Sequence, residues 1–241
     1  MNILLLEAYF TGSHKSWAED FQNFSSNDIN ILSMEGKFWK WRMQGGAITL
    51  AQKFNTMKNQ PDLIIATDML DLSTFMSLTR DKSSKIPTIL YFHENQLSYP
   101  WSTKDKDFIN NKHKHYGFIN YTSALTADHV LFNSNYHKNS FIEELKLLLK
   151  KFPDHNELAT IEKIKDKSKV LYIGIDLKRF DTYKIKNEGP PLILWNHRWE
   201  YDKNPETFFK VLFNLHKTEI DFRVAVLGEK YKKYQIGRAH V

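Results

Sequence analysis

Arg198 and Lys203 lie in a loop between an apolar run, Leu192–Asn196, and an amphipathic stretch opened by Asn204-Pro205. That spacing sets two cations between a strand's carboxyl end and a helix's amino end. Unpaired N–H groups and the helix dipole favour anions at such a point. A guanidinium adds a bidentate fork and an ammonium a mobile point charge. The chemistry this suits is binding of a diphosphate. Asn204 is expected to cap the helix and Pro205 to start it.

Other groups follow apolar runs in the same way. In Glu7-Ala8-Tyr9-Phe10-Thr11-Gly12-Ser13-His14-Lys15, Gly12 permits close backbone approach and Ser13 is placed to cap a helix. The loop reads either as a ligand-facing helix amino end or as a plain tight turn. In Tyr91-Phe92-His93-Glu94-Asn95-Gln96-Leu97-Ser98-Tyr99-Pro100, three polar groups directly follow an apolar strand. His93 could orient or deprotonate an acceptor hydroxyl, and Glu94 could hold a sugar hydroxyl or tune the imidazole. A satisfied structural histidine is the alternative. His93-Glu94 lacks the second, spaced histidine of a zinc motif. Phe132-Asn133-Ser134-Asn135-Tyr136 is another strand end, and its plain reading is helix capping. Lys37-Phe38-Trp39-Lys40-Trp41-Arg42, followed by Gly45-Gly46, interleaves aromatics with cations. Such rings stack on bases or sugars while the cations meet phosphate, or they pack beneath a loop. His113 and His115 sit among Lys112 and Lys114 and read as basic surface.

These groups need elements to position them. Ile3–Leu6, Ile29–Leu32, Leu63–Ala66, Thr88–Phe92, His129–Phe132 and Val170–Ile173 are short apolar runs bounded by turn residues and are predicted as buried strands. Helices are predicted over Ser13–Phe24, Gly46–Lys58, Leu70–Thr79, Asp105–Thr126 and Tyr136–Lys151, with an exposed helix and loop over Phe152–Ser168. Alternation of this kind makes βαβ units and a parallel sheet, a Rossmann-like doubly wound α/β domain. Asp181–Pro191, ending in a proline pair, reads as a linker, so the first domain is expected over residues 1–186. A second begins with strand Leu192–Asn196, helix Pro205–Lys217 and strand Arg223–Leu227, and is expected to stop unfinished over 187–235. The last residues, Ile236–Val241, resemble a translated sequencing-library adapter and are expected to be an artefact of a gene cut short.

Composition sets outer limits. The 241 residues are 41% hydrophobic and 26% charged, ordinary for a globular chain. Zero cysteines exclude disulfides and thiolate metal sites and fit a reducing compartment. Glu7 ends the first apolar run too early for a signal-peptide core or a membrane span, so a cytoplasmic protein without membrane insertion is expected. The formal net charge is +6. A lysine-rich solvated surface explains it, as does a polyanionic partner such as nucleic acid or an anionic lipid surface.

Taken in order, these motifs carry a resemblance. Glu7-Ala8-x-x-x-Gly12-Ser13-His14-Lys15, Lys37-x-Trp39-x-Trp41-Arg42, Phe92-His93-Glu94-Asn95-Gln96-Leu97-x-Tyr99-Pro100, Phe132-Asn133-Ser134, Pro153-Asp154-His155 and His197-Arg198-Trp199-Glu200-x-Asp202-Lys203-x-Pro205-Glu206 are similar to the tRNA-queuosine alpha-mannosyltransferase family. That family in turn resembles the broad group of retaining GT-B glycosyltransferases. Gly174-Ile175-Asp176-x-x-x-Phe180 looks like the turn that ends the first domain in that group.

The resemblance implies a two-domain GT-B fold acting in the interdomain cleft, with GDP-mannose as donor and queuosine in tRNA as acceptor. Arg198 and Lys203 would bind the donor diphosphate, with Gly12, Ser13 and Glu229 also on the donor side. Two cations would then stand in for a metal, so no cofactor or metal is expected. His93 and Glu94 would be catalytic. His14, Lys15, Trp39, Trp41, Arg42, Asn95, Gln96, Asn133 and Ser134 would serve the acceptor. The family's Glu-rich motif, which grips the donor sugar, falls past Val241, so this chain alone is expected to have little transferase activity. The alternatives are a glycosyltransferase for a lipid or polysaccharide acceptor and a noncatalytic RNA-binding module.

Overall fold

A computed structural model describes residues 1–186 and 188–228; Glu229 and the 236–241 segment lie outside the described residues. Two compact units divide the chain after Leu177. In the first, β1 (Asn2–Phe10), β2 (Asp28–Glu35), β3 (Leu63–Thr67), β4 (Thr88–Phe92), β5 (His129–Phe132) and β6 (Ser168–Val170) form one sheet in the order β2-β1-β3-β4-β5-β6. Every pairing is parallel. The strand order turns back between β1 and β3, and ligands of open α/β sheets gather beyond the carboxyl ends at such a point.

The inner strands β1, β3, β4 and β5 are mostly apolar because both faces are covered, whereas the edge strands β2 and β6 carry polar residues. From β1, Leu4, Leu6 and Ala8 join the larger core with α2 (Trp39–Thr56), α3 (Leu72–Ser83), α5 (His113–Thr126), α6 (Asn135–Leu149) and α7 (Thr160–Asp166). Ile3 and Leu5 point the other way, to Ala18, Trp17 and Phe21 of α1 (Gly12–Phe24). Glu7 is in phase with Ile3 and Leu5, so strand alternation turns it to the α1 face.

Several boundaries differ from the sequence reading. Helix α2 begins at Trp39, not Gly46, so the Trp-Lys-Trp-Arg cluster is helical. Phe38 precedes it in the left-handed region at φ 52°. The long helix expected over Asp105–Thr126 is broken into α4 (Lys106–Ile109) and α5, with Asn111 at φ 57° between them. The last strand of the sheet ends at Val170; beyond it the Leu171 amide still donates to Phe132 O, and then the ladder stops. Phe152–Ser168 is not all exposed, because Thr160, Ile161 and Ile164 of α7 are buried.

The second unit contains α8 (Lys178–Asp181), β7 (Leu192–Asn196), a 3₁₀ turn (Tyr201–Lys203), α9 (Pro205–His216) and β8 (Arg223–Leu227). Strands β7 and β8 pair in parallel. Trp195, Trp199, Phe208 and Phe209 pack together, with Trp199 and Phe209 stacked at 5.7 Å. Among the described residues no helix is long and apolar enough to cross a membrane.

Candidate functional site

Helix α1 places His14, Trp17, Ala18 and Phe21 on one face, at the i, i+3, i+4, i+7 spacing of a buried stripe. His14 tops that stripe and meets Glu7. Its Nδ1 lies 3.1 Å from Glu7 Oε2, with the two side chains only 12% and 0% exposed. The other carboxylate oxygen of Glu7 accepts the Tyr9 amide at 2.8 Å. Gly12, at φ 51° with open space where a Cβ would stand, turns the chain from β1 into α1.

His93 arrives from the end of β4, and its ring lies 4.4 Å from that of His14 at 38°. The edge of Trp17 closes over it at 4.6 Å. Asp68, just beyond β3, accepts the His93 amide at 2.9 Å through Oδ1. The same oxygen is 3.4 Å from His93 Nδ1, a contact of charge without hydrogen-bond geometry. Both ring nitrogens of His93 are buried and make no hydrogen bond. An orphaned buried nitrogen is costly and calls for an explanation.

Burial lowers the affinity of the His14 ring for a proton. The Glu7 hydrogen bond and charge, helped by Asp68 and Glu94, outweigh burial and hold the ring up at about 9. Burial likewise pushes the Asp68 carboxyl up, but contact with His93 and the charge of His14 bring it below the ordinary carboxylate range. At neutral pH, then, His14 is cationic and donates to Glu7. Two buried carboxylates without such partners would be strongly unfavourable. Glu7, His14 and His93 also offer ligand atoms within 4.8 Å of one another, the one such group among the described residues. The direct hydrogen bond brings Glu7 to His14, and ring contact brings His93 to His14.

A polar frame supports His93 from behind. Asn120 is fully buried; it donates to Asp68 O at 2.9 Å and accepts the Gln96 amide at 2.7 Å. Asn133 donates to His93 O at 2.7 Å and faces His137 Nδ1 at 3.0 Å. Ser134 caps α6 through His137 N, as its position suggested. Asn95 spends its side chain on the Leu97 and Ser98 amides and on Ser98 Oγ. Gln96 Nε2 donates to Glu94 Oε1 at 3.2 Å.

Of the residues picked from sequence, the structure gathers His14, His93 and Glu94 about one point. Asn95, Gln96, Asn133 and Ser134 frame it through the contacts above. Lys15 is exposed, facing Glu19 at 3.7 Å. Ser13 lies inside α1, two positions past the cap; the cap position is Thr11, without a side-chain bond. Trp39 turns inward against Trp101 and Tyr116, Trp41 is exposed, and Arg42 Nε donates to Glu35 O at 3.1 Å. In the second unit, Arg198 and Lys203 share the loop between β7 and α9. Arg198 is exposed, and Lys203 pairs with Asp202 at 2.9 Å. Asn204 does not cap α9 with its side chain; it sits at φ 50°, and Pro205 opens the helix as expected.

Glu7, Asp68, Asn120 and Trp17 were missed. Glu7 carried a signal, a carboxylate in phase with the inward Ile3 and Leu5. Asp68 carried one too, a polar group just past β3 as His93 is past β4, whereas Asn120 carried none, since its partners come from other elements.

Residues 2–175 match the amino-terminal family described as tRNA-queuosine alpha-mannosyltransferase N-terminal. Across 96% of its length the chain is 32% identical to the tRNA-queuosine alpha-mannosyltransferase of Drosophila melanogaster. It spans 62% of the length of that relative.

Proposed function

The chain belongs to the tRNA-queuosine alpha-mannosyltransferase family, and on that premise we propose that it serves retaining transfer of mannose from GDP-mannose to queuosine in tRNA. The finer fold reading is GT-B. The observation that carries the reading is His93, held by buried Asp68 beside the Glu7–His14 ion pair with its ring nitrogens unpartnered.

An acceptor hydroxyl gives His93 the hydrogen bond it lacks, and the imidazole orients that hydroxyl for reaction. Asp68 fixes the ring through the His93 backbone and through charge. Glu94 takes a sugar hydroxyl at the same point. His14, as an imidazolium, keeps the site from being a purely anionic pocket. Asn95, Gln96, Asn133 and Ser134 act indirectly, by shaping the loops that carry His93.

On the donor side, Arg198 and Lys203 receive the diphosphate at the amino end of α9. Charge grows on the departing GDP as the sugar bond breaks, so cations that meet it act on the transition state. Lys203 exchanges its half-buried pairing with Asp202 for the phosphate. Gly12 and Ser13 remain donor-side residues, and no metal is required.

Titration of the chain with GDP-mannose and with queuosine-bearing tRNA tests the reading. Saturable binding of both is expected, the first weakened by Arg198→Ala and the second by His93→Ala. Saturable binding of neither contradicts it.

A further inference from the structure

Phe38 and Trp41 are large aromatic side chains left in water, 77% and 60% exposed. They occupy the cap position and the first turn of α2, three residues apart, so both project from the same end of the helix. That end follows the carboxyl edge of β2, the edge of the sheet from which His14 and His93 also arise. Gly36 ties the loop down there, since a Cβ at that position would meet Thr11 of the β1–α1 turn at 2.2 Å.

The indole of Trp41 is not loose. A Cβ on Gly45 would meet Trp41 Cζ2 at 2.7 Å and Cε2 at 2.8 Å. The ring therefore lies against the bare backbone of the next helical turn and turns its other face outward. Glycine inside a helix is unfavourable by propensity alone, and here its absent side chain seats the ring. Among the described residues neither Phe38 nor Trp41 stacks on another aromatic. Lys37 and Arg42 flank them. Lys37 meets Glu35 at 2.6 Å in an exposed pair, and Arg42 holds Glu35 O through Nε alone. Exposed pairs of this kind are weak, so both cations remain able to meet phosphate.

We propose that Phe38 and Trp41 form a stacking platform for unpaired bases of an RNA, with Lys37 and Arg42 on its phosphates and Gly45 as the seat of the indole. The proposal rests on the RNA-acceptor reading and gives it a contact away from the reacting group. Stacking on ring faces is indifferent to base identity, so the platform grips a single-stranded loop and leaves recognition of the modified base to the His93 site. A helical duplex hides its base faces and gains only the phosphate contacts.

The test measures anisotropy of a short fluorescein-labelled RNA of mixed sequence, alone and as a duplex with its complement, on the 241-residue chain. Single strand is expected to bind tighter than duplex. Trp41→Ala should weaken the single strand about tenfold and Phe38→Ala less, with duplex binding unchanged. Gly45→Ala keeps every aromatic and improves helix propensity, yet should weaken the single strand and shift indole emission by lifting the ring. Lys37→Gln and Arg42→Gln should weaken both RNAs and reduce the salt slope. Equal binding of single strand and duplex, or single-strand affinity unchanged by Trp41→Ala and Phe38→Ala, overturns the platform. Discrimination for queuosine retained in those variants would leave the acceptor reading standing, so the two failures are distinct.

Discussion

Replacing Glu7 by Gln should release the proton on His14. The native ring is held at about 9 against an ordinary 6.5. That difference of about 2.5 units, at 1.36 kcal/mol per unit, is about 3 kcal/mol. The ring is only 12% exposed, so solvent screening takes little from this figure. The folded value lies above the unfolded one, so the stabilisation is complete below pH 6.5. It is lost as pH rises through about 9. Urea unfolding at pH 6, 7.5 and 9.5 should show stability falling by about this amount across the window. In Glu7→Gln the charge that opposed burial is gone, and an amide can hydrogen-bond the neutral imidazole as readily as the charged one; burial then dominates and the decline over that window should vanish. Nuclear magnetic resonance of the His14 ring gives the same quantity directly. A native His14 that titrates near its ordinary value, or an unchanged pH dependence in Glu7→Gln, would refute the electrostatic account of the site.

Asp68→Asn keeps an acceptor for the His93 amide and removes the charge. Because the Asp68 carboxyl is held below its ordinary range, its stabilisation is present above pH 3.8 and lost as pH falls further, so the variant should show a shallower acid limb followed by fluorescence. Lys40 bridges Asp105 at 2.8 Å and Asp107 at 2.6 Å; Lys40→Met should raise amide exchange across α4 with little change in β1–β4, and uniform protection would contradict that role. Ser134→Ala removes the α6 cap and should lower stability by about 1 kcal/mol, read from urea midpoints.

Much of the first unit was legible because its physics is local. A parallel strand buried on both faces is an unbroken apolar run, and Thr88–Phe92 and His129–Phe132 were bounded correctly by their flanking turn residues. The start of helix α2 was read seven residues late because Trp39–Arg42 looks like a polar loop and Gly45-Gly46 like its end. The glycines instead serve packing, Gly46 lying where a Cβ would meet Ala8 Cβ at 3.2 Å. The left-handed turns at Asn111 and Asn204 left no clear mark either. In the site, His93 stood out as a polar group at a strand end. His14 was picked out as well, but its meeting with His93, Asp68 and Asn120 was not legible, because the four come from different elements brought together by strand order. Asn95 and Gln96 were expected to serve the acceptor, yet the Asn95 side chain is spent on Leu97 and Ser98 within the loop, and Gln96 gives its amide to Asn120 and its Nε2 to Glu94, with Oε1 left buried and unpartnered.

On the proposed function, His93, braced by Asp68 and unpartnered at its ring, would receive the acceptor's modified base. The measurement that tests it most directly compares the affinity of the chain for tRNA bearing queuosine with that for the same tRNA bearing guanosine at that position, in the native protein and in His93→Ala. Preference for queuosine in the native chain, erased in the variant with affinity for the guanosine form kept, is the predicted result. Equal affinity of the native chain for the two tRNAs, or a preference that survives His93→Ala, would contradict it.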